Sequence, residues 1–233
     1  MIVNRLWQQH FGKGLAANAS DFGKLGDVPT HPELLDWLAS ELMVPTTKDG
    51  EGTPKPWSLK HIHRLIVTSA AYRRSASHPD PKAGRLIDPE NKLLWRGNVR
   101  RLDAEQIRDS IFAVTGELNL TPGGPGTPLA DPRRSVYSKI MRNTRDPLLD
   151  VFDAPYWFSS ASSRDTTTTP VQSLLLFNSQ TMLQRSRMFA ERLLHEYPQD
   201  VSGGIDRAYR LAFGRSPTTE ELALAQNFLV EQA

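Results

Sequence analysis

The sequence contains no cysteine, and this removes several classes of chemistry. Without a thiol the chain has no disulfide, no thiolate nucleophile, no cysteine-ligated zinc and no covalently attached c-type haem. It also lacks an uninterrupted apolar run of about 18 residues, the length that a membrane-spanning helix needs. We therefore expect no membrane span and no cofactor in this chain.

Neither sign of charge is in large excess, since 28 Lys and Arg residues stand against 26 Asp and Glu residues. Proteins that bind phosphate backbones concentrate basic residues on one surface, so a nucleic-acid partner is not expected. The chain opens on an amphipathic stretch instead of a basic segment followed by an apolar one. We therefore expect no signal peptide in this chain.

Apolar residues recur at three- and four-residue steps along most of the chain, which is the spacing of one helix face. The clearest stripe follows Asp103 and consists of Ala104, Ile107, Ile111, Val114 and Leu118. The opposite, solvent-facing side of this helix is predicted to carry Glu105, Arg108 and Asp109. A short helix is predicted at 88–95, and the all-round apolar run at 174–177 predicts a helix in the central core.

The prediction is a mainly α protein, an irregular multi-helix bundle of about eight helices with long loops and at most one short strand pair. Residues 134–140 alternate partially and predict either that strand, paired with another extended segment, or an ordered extended loop. Residues 1–233 are expected to form a single helical domain cut from a longer polypeptide, because the first helix starts without a capping residue. An alternative division separates N-terminal helices at 1–118 from C-terminal helices at 133–233.

Several blocks of sequence, in order along the chain, resemble one known family. They include MIVNRLWQQHFGKGL at 1–15, WSLKHIHRLIVTSAAYR at 57–73, RRLDAEQIRDSIFAVTG at 100–116, FDAP at 152–155, TTTPVQSLLLFN at 167–178 and AYRLAFGRSP at 208–217. The chain resembles the PSD family, an uncharacterised domain found towards the C-terminus of large planctomycete-type proteins that also carry a cytochrome-c-like domain.

This resemblance implies a helical module in an extracytoplasmic or cell-surface setting, with haem-binding and other domains upstream in the same polypeptide. It supplies no catalytic residues, because the family has no established activity. Two features depart from the family pattern. The polar run Thr46 to Lys55 resembles an insertion in a loop that is usually short, and Tyr156 stands where an acidic residue often follows FDAP.

Histidine is the main candidate metal ligand in a chain without cysteine. His61 and His63 lie two residues apart on a predicted helix, about 200° apart around its axis, so they do not face one metal ion. A site of three histidines from separate helices, drawn from His10, His31 and the His61/His63 pair, is conceivable, but no spacing in the sequence supports it. The sequence therefore predicts no metal site.

The densest mixture of opposite charges near aromatic residues lies between residues 142 and 165. Its members are Arg142, Arg145, Asp150, Asp153, Arg164 and Asp165. If Asp150 and Asp153 converge, they are candidate catalytic carboxylates for general acid–base chemistry. The structural alternative is that one of them pairs with an arginine to fix the turn around Pro155.

Arg164 and the threonines after it precede a helix that is predicted to start near Pro170. Free amides at a helix start favour an anion, so Arg164, Thr167 and Thr168 form a predicted anion-binding corner. Either a ligand or an aspartate of the chain would fill this corner. The alternative is that the hydroxyl of Thr168 or Thr169 only caps the start of the helix, without any ligand.

Two functions from different classes stay open on the sequence. The first is a non-catalytic helical interaction module of a large extracytoplasmic multidomain protein, which docks onto upstream domains of the same polypeptide or onto another surface protein. An exposed Tyr-Trp-Phe run around Trp157 would be one interaction patch. The alternative is a hydrolase acting on extracellular polysaccharide with carboxylates in the 150–165 region, although no catalytic motif names a reaction.

Overall fold

The structure is a computed structural model that describes residues 1–48, 52, 54–141, 143–156, 158, 161 and 163–232. Over these residues the chain is about 50% helical, with ten α-helices and neither a sheet nor a barrel. The mainly α fold predicted from the apolar periodicity is confirmed. Polar loops separate many of the helices.

The chain folds as two compact units. The first comprises Met1–Arg101 with Ala161–Ser163, and the second comprises Leu102–Ser160 with Arg164–Ala233. The boundary lies just before the helix that follows Asp103. The alternative division of the sequence left that helix with the N-terminal half.

The described part of the first unit contains α1 (Ile2–Phe11), α2 (Pro32–Met43), α3 (Leu59–Thr68) and α4 (Pro81–Ile87). The first three helices share one apolar core, because each has an apolar stripe at helical spacing. Its buried members are Val3, Trp7, Phe11, Leu15, Leu38, Leu42, Ile62 and Ile66. Ser58 caps α3 by accepting the amide hydrogen of His61.

The short helix predicted at 88–95 is wrong. The Asp88 carboxylate accepts the amides of Lys92 and Leu93 at 2.9 and 2.7 Å, and these bonds hold a non-helical turn. Such side-chain bonds compete with the helical ladder. The helix lies just upstream instead, at α4, where Asp80 caps the Ala83 amide and a proline occupies the first turn.

The described part of the second unit contains α5 (Ala104–Thr115), α6 (Pro147–Val151), α7 (Pro170–Asn178), α8 (Gln180–Glu196), α9 (Val201–Phe213) and α10 (Thr219–Gln232). α8 packs against α5, α7 and α9, and α10 packs against α9. The buried apolar cluster of this unit is small and consists of Ala104, Leu149, Phe152 and Ala154. Neither α8 nor α10 has a fully buried residue among those described.

The strand predicted at 134–140 is also wrong. Ser135–Tyr137 form one turn of 3₁₀ helix, and Ser138 makes an isolated bridge with Thr127. The Ser135 amide donates to the Asp109 carboxylate at 2.9 Å. This segment is therefore fixed to α5 instead of to a neighbouring strand.

α5 turns a different face to the interior than the apolar stripe predicted. Its buried residues are Ala104, Arg108, Phe112 and Thr115. Arg108, which was expected on the solvent side, is 5% exposed, whereas Ile111 is only partly buried. The reason is that the loop at 128–135 covers this side of α5 with backbone carbonyls, which an apolar side chain could not satisfy.

The guanidinium of Arg108 holds this loop. Its Nε donates to the carbonyl of Leu129 at 3.0 Å, its Nη1 to the carbonyl of Arg133 at 2.8 Å, and its Nη2 to the carbonyl of Asp131 at 2.6 Å. Asp109 pairs with the same group at 3.1 Å. Arg108 therefore acts as a clamp between α5 and the loop.

Candidate functional site

The candidate carboxylate Asp150 lies in the last turn of α6. It pairs with Arg145 Nη2 at 2.6 Å, and its side chain is 52% exposed. Arg145 also donates to the carbonyl of Ala154 at 3.0 Å and lies over the ring of Tyr156 at 4.4 Å. Arg145 therefore connects Asp150 to the turn before Pro155, which is the structural role that the sequence offered as the alternative to catalysis.

The second candidate carboxylate, Asp153, has other partners. It accepts the amide of Thr167 at 2.8 Å and the hydroxyl of Thr167 at 2.9 Å. Gln172, which is buried, donates to that hydroxyl oxygen at 3.3 Å and to the carbonyl of Val151 at 3.0 Å. These bonds connect the turn after α6 with the segment that leads into α7.

Asp150 lines a cleft of about 260 Å³. The other charged residues in its wall are Lys139, Arg145 and Asp146. Asp153 and Arg164 are not among the lining residues of that cleft. Each candidate carboxylate therefore has its own structural contact, and this geometry gives the hydrolase hypothesis no support. Arg142 and Trp157 lie outside the described residues, although Tyr156 and Phe158 beside Trp157 are both exposed.

Arg164, the centre of the predicted anion corner, forms a bidentate ion pair with Glu105 of α5. The two nitrogen–oxygen distances are 2.5 and 3.1 Å. Burial raises the pKa of the Glu105 carboxyl, but the hydrogen bond from Arg164, a backbone hydrogen bond and the charge of Arg164 together outweigh burial and lower the pKa below its ordinary value. The sequence missed this partner, because it lies 59 residues away and carries no local signal.

Carboxylates of the chain therefore contact two of the three groups that were assigned to an anion, Arg164 and Thr167. The third, Thr168, is exposed. Thr169 caps α7 in a reciprocal pair of bonds with Gln172, as the capping alternative predicted. The ligand role of Arg164, Thr167 and Thr168 stays a prediction. An anion that binds to Arg164 and Thr167 would have to displace the carboxylates of Glu105 and Asp153.

We expect Arg164→Ala to lower the free energy of unfolding by about 1 kcal/mol without any added anion, since the variant removes a partly exposed bidentate pair. Urea denaturation should show the loss, and Glu105→Gln should reproduce it. If Arg164 instead binds an external anion, sulfate should raise the melting temperature of the wild type in a saturable way that chloride at equal ionic strength does not. A variant that changes neither stability nor sulfate response would show that the ion pair contributes nothing.

The buried histidine of the first unit is His61, and its partner is a carboxylate. Its Nε2 lies 2.9 Å from Oε2 of Glu41, and both side chains are almost fully buried. Glu41 also accepts the amides of Thr46 and Thr47, at 3.1 and 3.2 Å, and the hydroxyl of Thr46. This network fixes the start of the polar loop that follows α2.

Two further histidines, His10 and His63, join α1 to α3. His10 Nε2 lies 2.7 Å from His63 Nδ1, and the ring of His10 meets the edge of Tyr72. Burial lowers the pKa of His10, and the nearby His63 and Arg100 lower it further. Over the described residues, no group of three or more His, Cys, Asp or Glu side chains is placed to hold a metal ion.

The sequence did not reveal a cleft of about 560 Å³ in the second unit, lined by residues of α5 to α8 and of the loop at 129–130. Two guanidinium groups, those of Arg108 and Arg185, lie over the ring of Phe112 in its wall. No sequence signal could have found it, because α5 and α8 are separated by more than sixty residues of loops and short helices.

None of the described helices combines the length and the hydrophobicity that a membrane crossing requires.

Comparison with known proteins identifies a family without naming an activity. No curated protein sequence and no solved structure matches the chain. The sequence profile of PSD1, described as "Protein of unknown function (DUF1553)", matches residues 1–229. The match covers nearly the whole chain and confirms the resemblance seen in the sequence blocks, so the chain belongs to the PSD1 family of proteins of unknown function.

Proposed function

We propose that the chain is a non-catalytic helical interaction module of a large extracytoplasmic multidomain protein. In this proposal its C-terminal helices dock onto upstream domains of the same polypeptide. The observation that carries the proposal is that α7 and α10 each leave large apolar side chains exposed. Large apolar side chains grouped on an exposed helix face mark interaction sites in soluble proteins.

α7 has the first of these exposed apolar faces. Its run at 174–177 was predicted to lie in the central core, and that prediction is wrong, because Gln172 is the buried residue of the helix. Val171, Leu174 and Phe177 are exposed, and 80% of Phe177 is accessible. A helix that is apolar on every side needs cover on more than one side.

α10 has the second exposed apolar face, because it carries apolar residues on two sides. Leu222 and Ala225 are partly buried, and the helix packs against α9. Leu224 and Phe228 are one helical turn apart on a different face, about 200° and 240° around the axis from Leu222. They are 70% and 60% exposed, although a helix with one partner needs one apolar face.

The extracytoplasmic setting and the association with a cytochrome-c-like domain rest on the family resemblance. Within that setting, upstream domains of the same polypeptide are the favoured partner, because a tethered partner is present at high effective concentration. A docking surface can then be modest in area and still be occupied. Another surface protein is the competing partner.

A site-specific photocrosslink tests the proposal in the full-length protein. With benzoylphenylalanine in place of Phe228, irradiation should join α10 to residues of the upstream domains, and mass spectrometry of the digest should identify them. The same probe at Leu25, which is 96% exposed and lies in the first unit, serves as the matched control. Crosslinks from position 228 that stay within residues 1–233, or that reach a separate protein, would refute docking onto the upstream domains.

A further inference from the structure

We propose that the cleft between α5 and α8 binds a small carboxylic acid with an apolar body, and that Arg185 holds its carboxylate. This site is separate from the docking role of α7 and α10 and does not depend on it. Nothing in the sequence motifs pointed to it. The proposal rests on the walls of the cleft and on the bonding of its two arginines.

The size and the walls of the cleft suit a ligand of this class. Its volume of about 560 Å³ is within the range of about 300–1,000 Å³ that is usual for small-molecule sites. Most of its wall is apolar and comes from Ile111, Phe112, Leu129, Leu148, Leu175 and Met182. Ser179, Thr181 and Gln184 add a few polar groups at one side. An apolar wall with few polar groups selects a ligand whose body is apolar.

The two arginines in the wall differ in how they are bonded. They lie over the ring of Phe112, with their Cζ atoms 4.8 Å (Arg108) and 5.3 Å (Arg185) from its centroid. Every N–H direction of Arg108 is used by the loop carbonyls, Asp109 and Ser135. Arg108 is therefore part of the wall and has no donor left for a ligand.

Arg185 keeps one edge of its guanidinium for another partner. Its Nη1 is bonded to Glu117, while its Nε is buried and has no acceptor among the described residues. Nε and Nη2 form the edge that binds a carboxylate through two parallel hydrogen bonds. Nε has almost no accessible surface, so a carboxylate in the cleft binds this edge only after the guanidinium turns towards it; the hydrogen bond then satisfies a buried donor that lacks an acceptor, and this would stabilise the native state.

The acidic groups nearby do not fill this role. Asp146 also lines the cleft, but its carboxylate caps α6 by accepting the amides of Leu148 and Leu149. Glu117 binds Nη1 and also accepts the hydroxyl of Thr115 at 2.7 Å. Both carboxylates thus have partners elsewhere. We therefore assign the remaining edge of the Arg185 guanidinium, formed by Nε and Nη2, to a carboxylic acid from solution.

3-Phenylpropionate is a suitable probe, and 3-phenylpropanamide is its neutral control with the same apolar body. We expect the acid to raise the melting temperature of the wild-type chain in a saturable way, since only a native-state ligand stabilises by mass action. The amide should have a much smaller effect. In protein labelled with ¹³C-methyl methionine, the signal that Met182→Leu removes should shift on titration with the acid.

Two variants separate ligand binding from fold stability. Arg185→Gln should weaken binding of the acid about 10- to 100-fold, as expected for the loss of charge-assisted hydrogen bonds. Glu117→Gln removes the same ion pair but keeps the free edge, so it should lower stability and still bind the acid. The proposal is wrong if the amide binds as well as the acid, if Arg185→Gln binds like the wild type, or if the Met182 signal does not move.

Discussion

Replacing Arg108 by Ala should lower the free energy of unfolding by about 3–5 kcal/mol, the range for breaking a buried charged network. The variant leaves the carbonyls of Leu129, Asp131 and Arg133 without their donor. It also leaves Asp109 without its cationic partner. Urea denaturation followed by circular dichroism measures the loss.

Arg192 offers a matched control for this experiment. It also donates to two backbone carbonyls of α5, those of Ala113 and Val114, but its side chain is 22% exposed and also pairs with Glu196. Arg192→Ala should therefore lower stability by about 1 kcal/mol. Arg108→Met should behave like Arg108→Ala, because it keeps the apolar stem and removes every donor. Equal losses for Arg108→Ala and Arg192→Ala would contradict the clamp.

The second large effect concerns Glu41. We expect Glu41→Ala to lower the free energy of unfolding by about 3–5 kcal/mol, because His61 and the amides of Thr46 and Thr47 lose a buried acceptor. Glu33→Gln, on the exposed side of the same helix, should change stability by less than about 0.5 kcal/mol. Chemical denaturation at neutral pH distinguishes the two variants.

The same network predicts an acid-dependent loss of stability. Burial raises the pKa of Glu41, but hydrogen bonds from Thr46, His61 and Thr47 outweigh burial and lower the pKa from 4.5 to about 2. The folded state therefore holds the carboxyl ionised more strongly than the unfolded state does. The resulting stabilisation is complete above pH 4.5 and is lost as the pH falls from there towards 2.

Glu41→Gln should remove this part of the pH dependence, because it has no carboxyl to titrate. Denaturation curves collected between pH 6 and pH 3 should then converge for the wild type and the variant as the pH falls. Glu33→Gln again serves as the control and should follow the wild type. Parallel curves for the wild type and Glu41→Gln would show that Glu41 does not titrate with the fold.

Apolar periodicity predicted the helical class of this protein and the existence of α5, but it did not predict which face of α5 is buried. The stripe at Ile107 and Ile111 pointed to one side, whereas the structure buries Arg108 and Phe112. Periodicity depends only on the positions of apolar side chains. It carries no information on the backbone carbonyls of residues 129–133, which need hydrogen-bond donors. That demand appears only when segments distant in sequence meet.

For the charged region at 142–165, too, the sequence predicted the kind of contact but not all of the partners. Its composition correctly marked a place where arginines and carboxylates meet, and Arg145 does pair with Asp150. Local sequence could not show that Arg164 would pair with Glu105, or that Asp153 would bind Thr167. Each of these bonds joins residues at least 14 positions apart, so each depends on the fold.

The contacts of Arg108 with the loop have a consequence for sequence variation. Three of the groups that it binds are main-chain carbonyls, which every amino acid supplies. Side chains at Leu129, Asp131 and Arg133 can therefore be exchanged without removing an acceptor, as long as the backbone path is kept. The arginine itself has no substitute, because lysine offers a single ammonium in place of a fork of five donors. A saturation library should accordingly tolerate many residues at position 131 and almost none at position 108.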